Sequence, residues 1–173
     1  HEPEVWAHTR QVVNGSGYLT LKLTGAATID VYDATVFAPF FDPQALAWDA
    51  ALAEAIAPIA MMPRVTWTCE VAGRVTPEAA RVTGLAAGTP VVTGTADAAA
   101  EAISAGLSQV GDLMVMYGSS TFFILKTPRL LDSRVFWGSR FLQPDTFVVA
   151  GGTATAGSLT KWFREQLGQP ERA

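Results

Sequence analysis

The run Gly88-Thr-Pro-Val-Val-Thr-Gly94-Thr-Ala-Asp97-Ala-Ala-Ala100 constrains this chain more than any other. A short apolar segment bounded by Gly and Pro reads as a buried strand, Gly94 as a turn, and the alanine-rich segment as a helix. That helix opens on Asp97, whose carboxylate suits both the free N–H groups and the positive dipole end of a helix start. Open α/β sheets place their chemistry at the carboxyl ends of strands, where this geometry would hold a carboxylate rigidly. The sequence therefore implies an α/β fold with Asp97 as its candidate catalytic group. A plain helix cap is the alternative, and it stays open.

The second informative run is Asp112-Leu-Met-Val-Met-Tyr-Gly118-Ser119-Ser120-Thr121-Phe-Phe-Ile-Leu-Lys126, two β-rich segments around a small polar turn. This is a hairpin pattern. A turn of Gly118, Ser119, Ser120 and Thr121 exposes backbone N–H groups without bulky side chains, so it can wrap a phosphate as an anion nest or be an ordinary hairpin tip. A carboxylate to accept a hydroxyl proton and a loop to hold phosphates together describe phosphoryl transfer.

At 173 residues the chain is long enough for a full domain, and 49% apolar with 16% charged residues is a globular, somewhat oily composition. The net charge of −4 provides no basic footprint for nucleic acid. One cysteine, Cys69, excludes an internal disulfide, fits a reducing cytosol and reads as a small buried hydrophobe. Both histidines, His1 and His8, lie in the first ten residues, which leaves no histidine for a metal cluster or a Ser-His-Asp triad. No apolar run is long enough for a membrane span, and no leader peptide is recognised. These features predict a cytoplasmic protein without nucleic-acid or membrane partners.

Along the chain, a helix is expected from Glu4 to about Val13, ended by Asn14-Gly15, and a second from Tyr18 to Leu23, stopped at Gly25. Residues 26–41 read as irregular, with Asp30 and Asp33 close together but weak as a metal pair. Asp42-Pro43 reads as a helix start, with Trp48, Leu52, Ala55 and Ile56 on one core face and Pro58 as its end. A strand is expected from Arg64 to Cys69, a helix from Thr76-Pro77 to Gly84, a strand at 147–150, and a last helix at 158–167. Phe122-Phe123 and Trp162-Phe163 read as core aromatics, and a seam falls near residues 107–111.

The chain resembles the FGGY carbohydrate kinases, which include xylulokinases, ribulokinases, gluconokinases and glycerol kinases. The likeness lies in the ordered series Leu23-Thr-Gly25, Thr28-Ile-Asp30, Asp33-Ala34, Trp48, Met62-Pro63, Ala72-Gly-Arg-Val-Thr76-Pro-Glu-Ala-Ala80, Thr83-Gly-Leu85, Gly88-Thr-Pro-Val-Val92 and Asp97. It runs along essentially the whole chain and is densest from Leu23 to Thr121. It implies part of the two-domain, actin-like (ribonuclease H-like) ATPase fold. Residues 1–108 would be the C-terminal part of the first domain, and 109–173 the start of the second.

The resemblance also assigns roles. Asp97 would be the catalytic base. Gly118, Ser119 and Ser120 would touch the nucleotide phosphates, with Gly157 letting a helix approach them and Lys161 facing the nucleotide. Ser119 stands where many members carry Thr, which keeps the hydroxyl. The loop holding Asp30 and Asp33 would be structural, near the sugar side. ATP and Mg²⁺ would be the cofactors and a sugar or polyol the acceptor, with a ketose such as xylulose favoured and a homodimer among the possible assemblies. The alternative is a non-catalytic sugar- or nucleotide-binding member of the same fold. An Asp-x-Gly-Thr/Ser phosphate hairpin and a Gly-rich adenosine loop, both usual in the family, are not found. The chain is therefore expected to be an interior piece of a larger kinase, inactive by itself.

Overall fold

The computed structural model describes residues 2–54 and 56–168. Two compact units divide the chain, residues 1–100 with 140–144 and residues 101–139 with 145–173. The boundary falls inside one helix.

The first unit begins with α1 (Pro3–His8), which is shorter than expected. Asn14 does not end a helix but starts one. Its Oδ1 accepts the Gly17 N–H at 2.9 Å and caps α2 (Gly15–Thr24), which stops on Gly25 in the left-handed conformation. The segment expected to be irregular contains β1 (Thr28–Asp30), all three residues buried, followed by the single-turn α3 (Val31–Ala34). The α2 helix lies close to β1 because Gly17 has no side chain. A Cβ there would stand 2.6 Å from the Thr28 carbonyl oxygen.

Asp42-Pro43 makes a hairpin turn instead of the expected helix. The Asp42 carboxylate accepts the Gln44 and Ala45 N–H groups, and Leu46 has a φ of 55°. The left-handed residue breaks helical continuation, and the chain returns so that β2 (Phe41–Asp42) pairs with β3 (Ala47–Trp48). Asp49 then caps the short α4 (Ala50–Ala53). Trp48 does face the core, where it meets Phe37 and Phe41 edge-on and donates from Nε1 to the Pro63 carbonyl at 2.8 Å. Leu52 and Ile56 are exposed, so the expected apolar stripe is not core, and Ala55 lies outside the described residues. The core of this unit is Ile29, Val31, Ala34 and Phe41, with Val65 and Trp67 packed against it.

β4 (Arg64–Thr66) pairs in parallel with β1, Ile29 opposite Val65. β5 (Val71–Arg74) and β6 (Pro90–Val92) form an antiparallel pair flanking α5 (Pro77–Thr83), which has the Thr76 cap, the first-turn Pro and the Gly84 stop that the sequence announced. β6 is not the buried strand expected: Val92 is 49% exposed. Cys69 is also exposed. The helix α6 (Asp97–Ser104) follows, with Ala99 and Ala102 fully buried.

The second unit is built on a four-stranded sheet of β7 (Leu113–Tyr117), β8 (Thr121–Thr127), β9 (Trp137–Arg140) and β10 (Phe147–Thr153), in the order β7-β8-β10-β9. β7 and β8 are the expected hairpin, closing at Tyr117 opposite Thr121, and β8 pairs antiparallel with β10 over seven residue pairs. Phe122 stacks on Trp137, and Phe123 meets Phe136 edge-on. The last helix is α7 (Gly157–Leu167). Its Trp162 and Phe163 are 54% and 57% exposed in this structure, not core. Among the described residues no helix is long and apolar enough to cross a membrane.

Candidate functional site

Asp97 is the first residue of α6 and is exposed, with Oδ1 accepting the Ala98 N–H at 2.7 Å. The segment before it is anchored residue by residue. The Thr93 N–H donates to Glu70 O at 3.0 Å, and its buried hydroxyl pairs with Thr66 Oγ1 at 2.7 Å. Gly94, at φ 76°, donates its N–H to the Thr68 carbonyl at 3.1 Å. A left-handed Gly94 lets the chain leave β6 and enter α6 within a few residues, which a residue with a Cβ would resist.

Asp30 and Asp33, expected to be structural, are linked to this segment through Thr68, which accepts the Gly94 N–H and donates to Asp30. Asp30 is 0% and Asp33 is 6% exposed. Asp30 Oδ1 accepts the Asp33 N–H at 2.9 Å, capping α3, and Oδ2 accepts the Thr68 hydroxyl at 2.7 Å. Thr95 faces the same carboxylate, though its buried Oγ1 completes no hydrogen bond. Burial pushes the Asp30 carboxyl up despite these donors. Asp33 Oδ2 accepts Asn14 Nδ2 at 2.5 Å and Ser16 Oγ at 3.4 Å. Burial, and next the Asp30 charge, push Asp33 up to about 6. The Tyr32 phenol, edge-on to Phe141, is pushed up to about 12 by burial first and then by Asp33, Asp30 and Asp97. A readable signal existed in Asn14-Gly-Ser-Gly17: Asn followed by small residues is a helix start as readily as a stop.

In the second unit, the structure brings together two of the sequence-selected pieces. Gly118, Ser119 and Ser120 form the tip between β7 and β8, and the Gly118 N–H closes it onto Ser120 O at 2.8 Å. The tip carbonyls cap α7. Gly118 O accepts the Gly157 N–H at 3.0 Å, while Ser119 O accepts the Ala156 N–H at 2.9 Å and the Ser158 hydroxyl at 2.9 Å. The first-turn amides of α7 are therefore largely spent on the hairpin. The Ser119 and Ser120 N–H groups make no hydrogen bond among the described residues, and a Cβ on Gly118 would meet only Ser120 O, at 3.8 Å. The tip thus has two free donors and open space in front of a glycine, which suits an anion. Lys161 is exposed one turn further along α7.

Among the described residues no three His, Cys, Asp or Glu side chains come together as a metal site. Both Asp30 oxygens accept hydrogen bonds, from the Thr68 hydroxyl and the Asp33 N–H, and Asp33 Oδ2 accepts from Asn14 and Ser16.

Residues 1–104 match the model of the N-terminal domain of the FGGY family of carbohydrate kinases. The L-xylulose/3-keto-L-gulonate kinase of Escherichia coli is 28% identical over 180 residues, covering 98% of this chain and 35% of that protein. Glycerol kinase 2 of Streptomyces coelicolor is 31% identical over 130 residues, covering 71% of this chain and 25% of that protein. The crystal structure of xylulose kinase from Rhodospirillum rubrum superimposes with a TM-score of 0.87 at 30% identity, over 99% of this chain and 35% of that one. The chain thus spans about a quarter to a third of the length of these relatives. Its α/β architecture is the corresponding part of the actin-like ATPase fold. By motif order, family-model match and superposition alike, the chain belongs to the FGGY family of carbohydrate kinases.

Proposed function

We propose that this chain carries the base and part of the phosphate-binding loop of a kinase that transfers the γ-phosphoryl group of ATP to a sugar or polyol hydroxyl. The observation that carries this reading is the placement of Asp97, an exposed carboxylate at the start of α6 on a turn tied down from Thr93 to Gly94. A general base must be both accessible and fixed in direction. Asp97 takes the hydroxyl proton as that oxygen attacks the γ-phosphorus, and the bond to the ADP oxygen breaks. Backbone donors at Ser119 and Ser120 hold phosphate oxygens, so that negative charge moving to the leaving group meets fixed dipoles. Lys161 is read as a further nucleotide-facing group. The relatives' names favour a ketose such as xylulose as acceptor.

Because the chain spans about a third of its relatives, we expect it to show no sugar-dependent ATP hydrolysis by itself. The decisive experiment places Asp97→Asn in a complete kinase containing this chain. Loss of about 10²–10⁴-fold in kcat with sugar binding retained supports the base, as removal of a general base would give. A kcat within about threefold of wild type, far above that expectation, overturns it.

A further inference from the structure

The two residues that lead from β6 toward Asp97 are held by one tight turn. Residues 67–70 close on themselves through the Glu70 N–H, which donates to Trp67 O at 3.0 Å. Two carbonyls of that turn take successive amides: Glu70 O accepts the Thr93 N–H at 3.0 Å, and Thr68 O accepts the Gly94 N–H at 3.1 Å. A side chain ties the turn to the interior. Thr68 Oγ1 donates to Asp30 Oδ2 at 2.7 Å. Asp30 is 0% exposed and is fixed from its other oxygen, where Oδ1 accepts the Asp33 N–H at 2.9 Å as the cap of α3.

We infer that Thr68 is a positioning residue for Asp97: its hydroxyl pins the 67–70 turn to buried Asp30, and its carbonyl holds the Gly94 amide that precedes the carboxylate. The hydrogen bonds stand independently, whereas their catalytic meaning rests on the reading of Asp97 as base. The physical reason is that one residue carries both ends of the link. Threonine is stiff at χ1, so a hydroxyl fixed on Asp30 also fixes the backbone of residue 68 and the direction of its carbonyl. Gly94, at φ 76°, has no Cβ to narrow its own conformation and depends on partners to stay in one.

The bond from Asp97 Oδ1 to the Ala98 N–H moves with α6, so the aim of the carboxylate depends on how the chain enters that helix. A displacement of about 1 Å at a reacting group can cost about 10²-fold in rate. The Thr66–Thr93 hydroxyl pair, at 2.7 Å, holds the chain one residue earlier without help from Thr68. Loss of the Thr68 hydroxyl should therefore loosen the turn while β6 stays in place.

The test compares wild type, Thr68→Val and Thr68→Ser in a complete kinase containing this chain, each with and without Asp97→Asn. Thr68→Val should lower kcat about tenfold, as loss of one net hydrogen bond would give. KM for sugar and ATP should stay within about twofold, the pattern of an interaction that matters only in the transition state. Thr68→Ser, which keeps the hydroxyl, should restore most of the rate. In the Asp97→Asn background Thr68→Val should change the residual kcat by less than about twofold, because no base is left to aim. Amide exchange in peptides spanning residues 93–97 should quicken about tenfold in Thr68→Val, with α5 peptides unchanged as the control for global unfolding. An equal loss of kcat in both backgrounds would make Thr68 merely structural and overturn the inference, as would unchanged exchange across 93–97. Should Thr68→Val not fold, Thr68→Ala, which also lacks the hydroxyl, replaces it with the same outcomes. A near-wild-type kcat in Asp97→Asn alone is instead the failure of the base reading, and exchange then decides by itself whether Thr68 holds Gly94.

Discussion

Gly157 sits so near Gly118 that its amide donates to the Gly118 carbonyl at 3.0 Å, and a Cβ on Gly157 would stand 2.5 Å from the same oxygen. The oxygen belongs to backbone, so it cannot swing aside as a side chain would. Gly157→Ala should separate the hairpin tip from α7 at a cost of about 1–3 kcal/mol, the usual range for forced overpacking. Faster amide exchange at residues 156–158, together with a lower urea midpoint, checks this. Unchanged exchange there would show that the tip accommodates a methyl group.

The same tip offers a clean probe of ligand binding. Gly118 is not in the left-handed region, and a Cβ there meets only Ser120 O at an ordinary 3.8 Å. Gly118→Val should therefore leave the hairpin folded. In a complete kinase it should raise KM for ATP far more than Ser120→Ala, which removes one hydroxyl worth roughly 0.5–1.5 kcal/mol. Equal KM for ATP in Gly118→Val and wild type would make the tip an ordinary turn.

Asp33 makes folding stability depend on pH with a definite sign. Its folded pKa of about 6 lies above the ordinary 3.8, so the native state binds the proton more tightly than the unfolded chain. Stability then falls as pH rises from about 4 to about 6, by about 3 kcal/mol from this group. Asp30, shifted in the same direction, adds to the fall. Denaturant unfolding across this range should show the slope, and Asp33→Asn should flatten much of it.

Thr68 provides a separate check on the buried network. Thr68→Val keeps the shape but removes the hydroxyl that donates to Asp30 Oδ2. It should cost about 1–3 kcal/mol at neutral pH, as expected for a buried acceptor losing a partner. The cost should shrink on acidification, because a protonated Asp30 needs fewer donors. A loss that did not vary with pH would place the effect in packing alone.

Much of this protein was legible locally. Thr76-Pro77 and Gly84 bracket α5 because caps and stops act within a turn, and the β7–β8 hairpin follows from two β-rich runs around Gly118-Ser119-Ser120. The strand–Gly94–helix unit leading to Asp97 was equally plain, and the order of its motifs already pointed to the family. Asp42-Pro43 was misread because the same pair starts a helix or closes a turn, and the left-handed Leu46 and the pairing of Phe41 with Trp48 decide between them. Asn14 was misread for a similar reason, since only the tertiary structure shows which amide its side chain accepts. Side-chain periodicity could not show that Asp30 and Asp33 are buried or that residues 14, 16 and 68 come to meet them. Nor could it show that Gly157 owes its missing side chain to a carbonyl 39 residues earlier. Chain-local chemistry determined the elements set by their own caps and turns, while desolvation and contacts between distant segments decided the remaining ones and which carboxylates are buried, as Asp30 and Asp33 are, or left facing solvent, as Asp97 is.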